Sequence, residues 1–320
     1  MDGQHLEWIS GFRAGHFTDS RALTGCTVVI PRNEAVAAVS VRGGAPGTRE
    51  TDLLQPGRLV ERIHGVVLAG GSAFGLQAAG GVMRYLEERG RGYPVGPVRV
   101  PIVPAAILFD LGVGDSSVRP GAAMGYEAAT GAREEIPERG NHGAGTGATV
   151  GKALGPGLAM KGGLGYSWVP LGGGAAVAAL VAVNALGDVA CPRTGRILAG
   201  CRDPQRGEFL ETERVLLEGA GPDGPVLSST TIGVIMTDAA LSRSEAHFLA
   251  AAAHDGLART IRPCHTQLDG DTLFLLSTGE REARLESVGA GAVRAVAEAV
   301  VDGIMSAQGA GGLPSAGDIE

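Results

Sequence analysis

The chain has 320 residues, enough for one large domain or two small ones with a substantial core. Its formal net charge is -7, and no basic cluster is interleaved with aromatics, which argues against nucleic acid or an anionic membrane surface as partner. No apolar run reaches the length of a membrane span, and the 53 glycines lie among recurrent hydrophobic runs rather than in low-complexity sequence.

Residues 1–41 read as an entry segment followed by strands. The β-rich runs 26–30 and 35–41 are separated by Pro31-Arg32-Asn33-Glu34, the pattern of a hairpin. Residues 42–57 are a loop. Residues 65–69 read as a buried strand, and Gly70-Gly71-Ser72 then opens a helix over 73–89 with Ser72 as its N-cap. Residues 101–110 read as a strand with prolines near its start, and 126–131 as a short helix. After the glycine-rich loop 141–147, residues 158–168 and 175–186 read as paired strands. Residues 188–218 are mixed and surface-like. A strand is expected over 232–236. Ser242-Arg243-Ser244-Glu245 is a capping box opening a helix to about residue 258. A strand over 272–276 and a helix over 282–305, apolar on one face at 3.6-residue spacing, complete the order. The glycine-rich tail from Gly309 is expected to fray. Sheets covered by helices are implied, with no clean linker dividing the chain.

The four cysteines, Cys26, Cys191, Cys201 and Cys264, form no C-x-x-C pair, and residues 1–13 show no signal-peptide pattern, so a reduced cytoplasmic setting is the expectation. The seven histidines lack metal-site spacing. The loop 143–152 does not match a P-loop: five residues separate Gly145 from Gly151, and Ala153 follows Lys152 where Ser or Thr belongs. Backbone lining of a pocket is the favoured role for these glycines.

Three features carry chemistry. The first is Ser228-Ser229-Thr230-Thr231, two hydroxyl pairs where a glycine- and proline-rich stretch becomes a strand. Such a residue is ordinarily a β-branched strand former. It becomes a nucleophile if the chain is cut just before it, because the freed α-amine can serve the hydroxyl as base. The second is Asp269-Gly270-Asp271. Two carboxylates this close need a cation or a shared proton, although spacing alone favours a tight surface turn. The third is a pair of polar residues in apolar stretches, Lys161 and Asn184, each of which must find a partner or serve a site.

The opening Thr24-Gly25-Cys26-Thr27-Val28, the run 68–76, residues 101–110, 143–152 and 160–165, Val183-Asn184, and above all 230–238 with 269–272 together resemble the self-processing hydrolases of peptidase family S58. That family contains the L-aminopeptidase/D-esterase, the β-peptidyl aminopeptidases and the nylon-oligomer endohydrolase. The resemblance covers nearly the whole chain and leans toward the nylon-oligomer branch through the Asp-Gly-Asp, Lys161 and a Thr nucleophile. It implies a single α/β domain, a four-layer αββα sandwich. It also implies self-cleavage between Ser229 and Thr230 into fragments 1–229 and 230–320 that stay together.

By the same resemblance Thr230 is the nucleophile and Asn184 donates to the oxyanion. Asp269 and Asp271 orient and charge-balance the α-ammonium and Lys161, and Tyr126 lines the substrate pocket. No metal or organic cofactor is expected. The implied substrate is a small peptide or an ω-amino-acid amide or oligomer, and the implied assembly a homotetramer of processed units. Ser229 departs from the pattern: the nylon branch has Asn before the nucleophile and the aminopeptidases Gly. Two other outcomes stay open, an acyltransferase like the ornithine acetyltransferases and an unprocessed, non-catalytic family member.

Overall fold

A computed structural model describes residues 6–203, 205–221 and 229–319. Ser228 and most of the glycine- and proline-rich stretch before it lie outside the described residues. Two large sheets dominate the chain. The first runs, in spatial order, Phe12–Asp19, Thr24–Pro31, Val66–Ala69, Ala105–Ile107 and Thr48–Arg49. The second runs Leu164–Pro170, Ala176–Ala182, Ile232–Ala239, Thr272–Arg281, Ala35–Val41 and Arg62–Ile63.

Side chains alternate across each strand, and this alternation stacks the layers. Ile232, Val234, Met236, Phe274 and Leu276 of the second sheet face Phe12, Val29 and Leu68 of the first. Their neighbours Ile235, Leu273 and Leu275 point the other way, onto Leu249 of helix Arg243–Ala252 and Val288, Val296 and Val300 of helix Leu285–Met305. The far face of the first sheet, with Val28, Ile30 and Val67, packs on Val82, Leu86 and Ala128 from helices Ala78–Glu87 and Ala122–Gly131. The order is helix, sheet, sheet, helix. A strand covered on both faces has no polar side, which is why Ala176–Ala182 and Ile232–Ala239 are buried throughout. Each fully buried Val, Leu, Ile or Phe in these layers contributes about 1.5–3 kcal/mol.

The structure corrects several sequence expectations. Thr24–Pro31 and Ala35–Val41 do not form a hairpin. Thr24–Pro31 pairs with Phe12–Asp19 and Val66–Ala69 in the first sheet, and Ala35–Val41 pairs with Thr272–Arg281 in the second. The intervening residues carry the chain from one sheet to the other. Ser72 caps no helix. It has φ 54, and its N–H donates to the Leu108 carbonyl at 3.0 Å. The glycines before it wrap Asp110 instead: the Gly71 N–H donates to its Oδ1 at 2.7 Å, and a Cβ at Gly70 would lie 2.0 Å from its Oδ2. The strand expected over 101–110 shrinks to Ala105–Ile107. The helix from the Ser242 capping box ends at Ala252, and a short one follows at His254–Ala258. The tail is docked rather than frayed. The Lys161 N–H donates to the Pro314 carbonyl at 2.8 Å, and Ser315 and Asp318 form a second capping box.

Topology positions the site. Ile232–Ala239 and Thr272–Arg281 are parallel neighbours, with Ile232 opposite Thr272. Parallel strands begin at the same edge, so residues 229–231 and 269–271 lie side by side. Ala176–Ala182 runs antiparallel to Ile232–Ala239 with Ala182 opposite Ile232, which delivers Asn184 to the same edge.

Candidate active site

At that edge the peptide bond between Ser229 and Thr230 is held from both sides. The Ser229 N–H donates to the Leu268 carbonyl at 2.8 Å, and the Thr230 N–H donates to the Asn184 carbonyl at 2.9 Å. The Ser229 carbonyl oxygen accepts two donors, the Gly270 N–H at 2.9 Å and the Thr230 hydroxyl at 2.5 Å. Charge would collect on this oxygen if the hydroxyl attacked its own upstream carbonyl, and a preplaced N–H lowers the cost. Ser229, Thr230 and Thr231 are all buried, but the hydroxyls of Ser229 and Thr231 find no partner among the described residues. Of these three hydroxyls, that of Thr230 is the one hydrogen-bonded at the junction.

The two carboxylates are buried, not part of a surface turn. Asp271 accepts the Thr231 N–H at 2.7 Å on Oδ1. On Oδ2 it accepts the His265 N–H at 3.1 Å and the His265 ring Nδ1 at 2.7 Å. Asp269 accepts the Leu186 N–H at 3.3 Å, and the Thr266 N–H and hydroxyl at 3.0 and 2.6 Å. Burial, and then the charge of Asp271, raise the Asp269 carboxyl above its ordinary value, with the Thr266 and Leu186 donors opposing.

Asn184 sits between the junction and a cavity. Its Oδ1 accepts the Thr149 N–H at 2.9 Å and the Lys152 ammonium at 3.0 Å, and Lys152 also donates to the Asn184 carbonyl at 2.9 Å. One side-chain amide hydrogen goes to the Phe109 carbonyl at 3.2 Å, leaving the second to donate elsewhere. Phe109, Val113, Thr149, Lys152, Pro156 and Leu313 line the adjoining cavity of about 310 Å³.

Besides His265, which is ion-paired with Asp271, the cation acted on by the carboxylate pair is Lys152, a residue the sequence reading does not single out. The charges of Asp269 and Asp271 both act on it. Lys161 points elsewhere: its ammonium donates to the carbonyls of Thr146 and Ala148 at 2.8 and 2.7 Å, and the carboxylate acting on it is Asp110. Lys152 lies at the end of a glycine loop whose sequence points to backbone lining of a pocket rather than to a side chain. Its signal was the same as that of Lys161, a lone charge in an apolar run. Gly151, at φ 72 and packed so closely that a Cβ would meet the Cys201 nitrogen at 2.0 Å, turns Lys152 inward. Tyr126 is also apart from these groups. Its hydroxyl donates to Glu88 at 2.6 Å, its ring packs edge-on to Tyr85, and it lines a different cavity with Gly80 and Arg84.

Burial lowers both lysines from the usual range to about 7. Between pH about 7 and 10 the unfolded chain therefore holds a proton on Lys161 that the folded chain does not, and folding stability gains from this lysine as pH rises. Urea midpoints of an uncut Thr230→Ala chain and its Lys161→Met derivative should diverge in favour of the lysine between pH 7 and pH 9.5.

Asp271 is itself held by His265. Burial is the largest single influence on the His265 imidazole and pushes it down, but the hydrogen bond and charge of Asp271 together with the neighbouring Cys264 outweigh it and bring it up to about 9. The ring packs on His254 with centroids 4.8 Å apart, and His254 is lowered to about 4, first by burial. His265→Ala should slow amide hydrolysis about 10-fold, with His265→Asn recovering part of the loss because its amide N–H can replace Nδ1. An assay of kcat for the two variants checks this.

Among the described residues no group of three or more His, Cys, Asp or Glu is placed to hold a metal ion, and no helix is long and apolar enough to cross a membrane.

The family model of peptidase family S58 matches residues 6–315. The chain belongs to peptidase family S58. An uncharacterized aminopeptidase of Mycobacterium tuberculosis is 43% identical, the match covering 97% of this chain and 96% of the relative. A 6-aminohexanoate-oligomer endohydrolase of Agromyces sp. is 32% identical over 83% of this chain and 72% of its own length. Among solved S58 structures, the L-aminopeptidase D-Ala-esterase/amidase of Ochrobactrum anthropi, described as a variant of the Ntn hydrolase fold, superposes with a TM-score of 0.69. It covers 94% of this chain and 85% of its own at 20% identity, so the shared property is the fold. Membership in S58 makes the chain a peptide or amide hydrolase.

Proposed function

We propose that the chain is an N-terminal-nucleophile amide hydrolase, activated by its own cleavage between Ser229 and Thr230. The observation that carries this reading is the Thr230 hydroxyl on the Ser229 carbonyl oxygen, with the Gly270 N–H on the same atom.

In the first step the Thr230 oxygen attacks the Ser229 carbonyl carbon. The carbon–nitrogen bond breaks, the nitrogen takes up a proton to become the α-amine, and an ester joins the Ser229 acyl group to Oγ1. Water cleaves the ester, leaving a carboxylate on Ser229 and a free Thr230. The α-amine has an ordinary pKa of about 7.7–8.0, which suits a base at neutral pH. It arises where the Thr230 nitrogen now bonds the Asn184 carbonyl, beside Lys152. Lys152 shares this region's proton traffic, and Asp269 and Asp271 balance the positive charge.

Turnover repeats the chemistry on a substrate. Oγ1 attacks an amide carbonyl, the free Asn184 amide hydrogen donates to the oxyanion, the amine leaves with a proton, and water releases the acid from the Thr230 ester. A donor of this kind typically supplies about 3–4 kcal/mol. Lys161 holds the 146–148 loop by its two carbonyl contacts and supports the site through it. The substrates in view are small peptides and ω-amino-acid amides, the class named for the 6-aminohexanoate-oligomer relatives. Acid-quenched turnover on a 6-aminohexanoyl anilide, followed by peptide mapping, should place the acyl group on Thr230. An acyl group on any other residue contradicts the assignment.

A further inference from the structure

We propose that the C-terminal tail is a wall of the substrate cavity, and that Leu313, with Val113, selects slender acyl groups that are uncharged where they enter it. This rests on the amide-hydrolase reading of the site.

The tail is pinned on both sides of Leu313. Upstream, the Asn141 side-chain amide donates to the Gln308 carbonyl at 2.9 Å, and the Gln308 N–H donates back to Asn141 Oδ1 at 3.1 Å. Downstream, the Lys161 N–H donates to the Pro314 carbonyl at 2.8 Å, and the Ser315 N–H and hydroxyl both donate to Asp318 Oδ2 at 2.7 Å. Between these anchors Ala310 and Leu313 exchange two backbone hydrogen bonds at 3.1 Å, a turn closed on itself. Gly311 and Gly312 have φ 62 and 79, the left-handed region that glycine enters without cost. A Cβ on Gly311 would come within 2.9 Å of a Val113 methyl, so the turn is seated on the Val113 loop. A glycine-rich tail held this way is a fixed surface, and Leu313 is the side chain it presents.

The cavity is small and two-sided. Thr149 and Lys152 are polar and hydrogen-bond Asn184, which marks the end where a carbonyl would react. Phe109, Val113, Pro156 and Leu313 are apolar. About 310 Å³ is at the lower end for ligand pockets, which run from about 300 to 1,000 Å³. No carboxylate is among its described lining residues, and Lys152 is its one cationic side chain. A cation next to the reacting carbonyl would lie against Lys152 unpaired, whereas a straight aliphatic chain would bury its methylenes against Leu313 and Val113.

The test uses the processed enzyme and three p-nitroanilides: acetyl, hexanoyl and the branched 3,3-dimethylbutyryl. Leu313→Ala should raise kcat/KM for the branched substrate relative to acetyl by about 10-fold or more, because one methylene in an apolar pocket is typically worth about 10–200-fold. Leu313→Trp should lower hexanoyl relative to acetyl by a similar factor. Val113→Ala, in the same lining, should move the ratios as Leu313→Ala does and serves if the Leu313 variants fold poorly. Wild-type hydrolysis with ratios unchanged in all variants, or all three substrates scaled by one factor, overturns the selecting wall alone. A processed wild type that hydrolyses none of the anilides overturns the amide-hydrolase reading and the wall with it.

Discussion

A Thr230→Ala chain is expected to stay a single 320-residue polypeptide and to lose amide hydrolysis by at least about 10⁴-fold. Both losses trace to one atom. The Thr230 hydroxyl is the group on the Ser229 carbonyl, and the neighbouring hydroxyls of Ser229 and Thr231 have no partner there. The fold should survive, because Thr230 lies at the mouth of a strand whose core side chains begin at Ile232, and one hydrogen bond to an adjacent carbonyl is worth only about 1 kcal/mol. Thr230→Ser keeps a primary hydroxyl in the same place and should still process. Gel mobility, an anilide assay and circular dichroism on the three proteins check the expectation. Cleavage or turnover persisting in Thr230→Ala would remove Thr230 from the mechanism.

Replacing Lys152 by methionine should slow hydrolysis by about 10²–10⁴-fold, the usual range for losing a positioned acid–base group. Methionine fills the volume but leaves both Asn184 oxygens without their shared donor and removes one of the positive charges that Asp269 and Asp271 act on. The pH profile carries the sign. Burial brings Lys152 down to about 7, so its neutral amine forms as pH rises through 7, and wild-type kcat/KM should climb there. Without Lys152 the climb should follow the α-amine instead, at about 7.7–8.0. Lys161→Met should keep a Lys152 limb, displaced only toward higher pH by loss of the Lys161 charge that helps lower Lys152, because Lys161 donates to the Thr146 and Ala148 carbonyls rather than to Asn184. A limb that moves with Lys161 and not with Lys152 would reverse the two roles.

What the sequence revealed follows a physical division. Local patterns were legible: the Ser242–Glu245 capping box, the long helix with Val288, Val296 and Val300 on one face, and the apolar strands covered on both sides. Pairing is decided by tertiary structure, and there the reading of residues 26–41 as a hairpin failed, since the chain crosses between sheets at 32–34. Ser72 looked like a cap because it opens a helical run, but the turn before it is shaped by Asp110. The tail looked frayed because glycine counts suggest freedom. Gly311 and Gly312 instead permit a left-handed turn.

The Thr230, Asn184 and Asp269–Asp271 cluster came through a family resemblance, and the fold does bring these residues to one sheet edge. Spacing alone favoured a surface turn for the two aspartates, because nothing local reports that the segment is buried under residues 43–45. Lys152 escaped notice for a related reason. Its partner Asn184 is 32 residues away, and only the fold puts them in contact.

The central claim is that this chain makes its own nucleophile, and the intact mass of the purified protein tests it most directly. Two species should appear, 1–229 and 230–320, with threonine as the new N-terminal residue of the second. One uncut 320-residue species after prolonged incubation, or a cut that leaves any residue but Thr230 at the new terminus, would contradict the account.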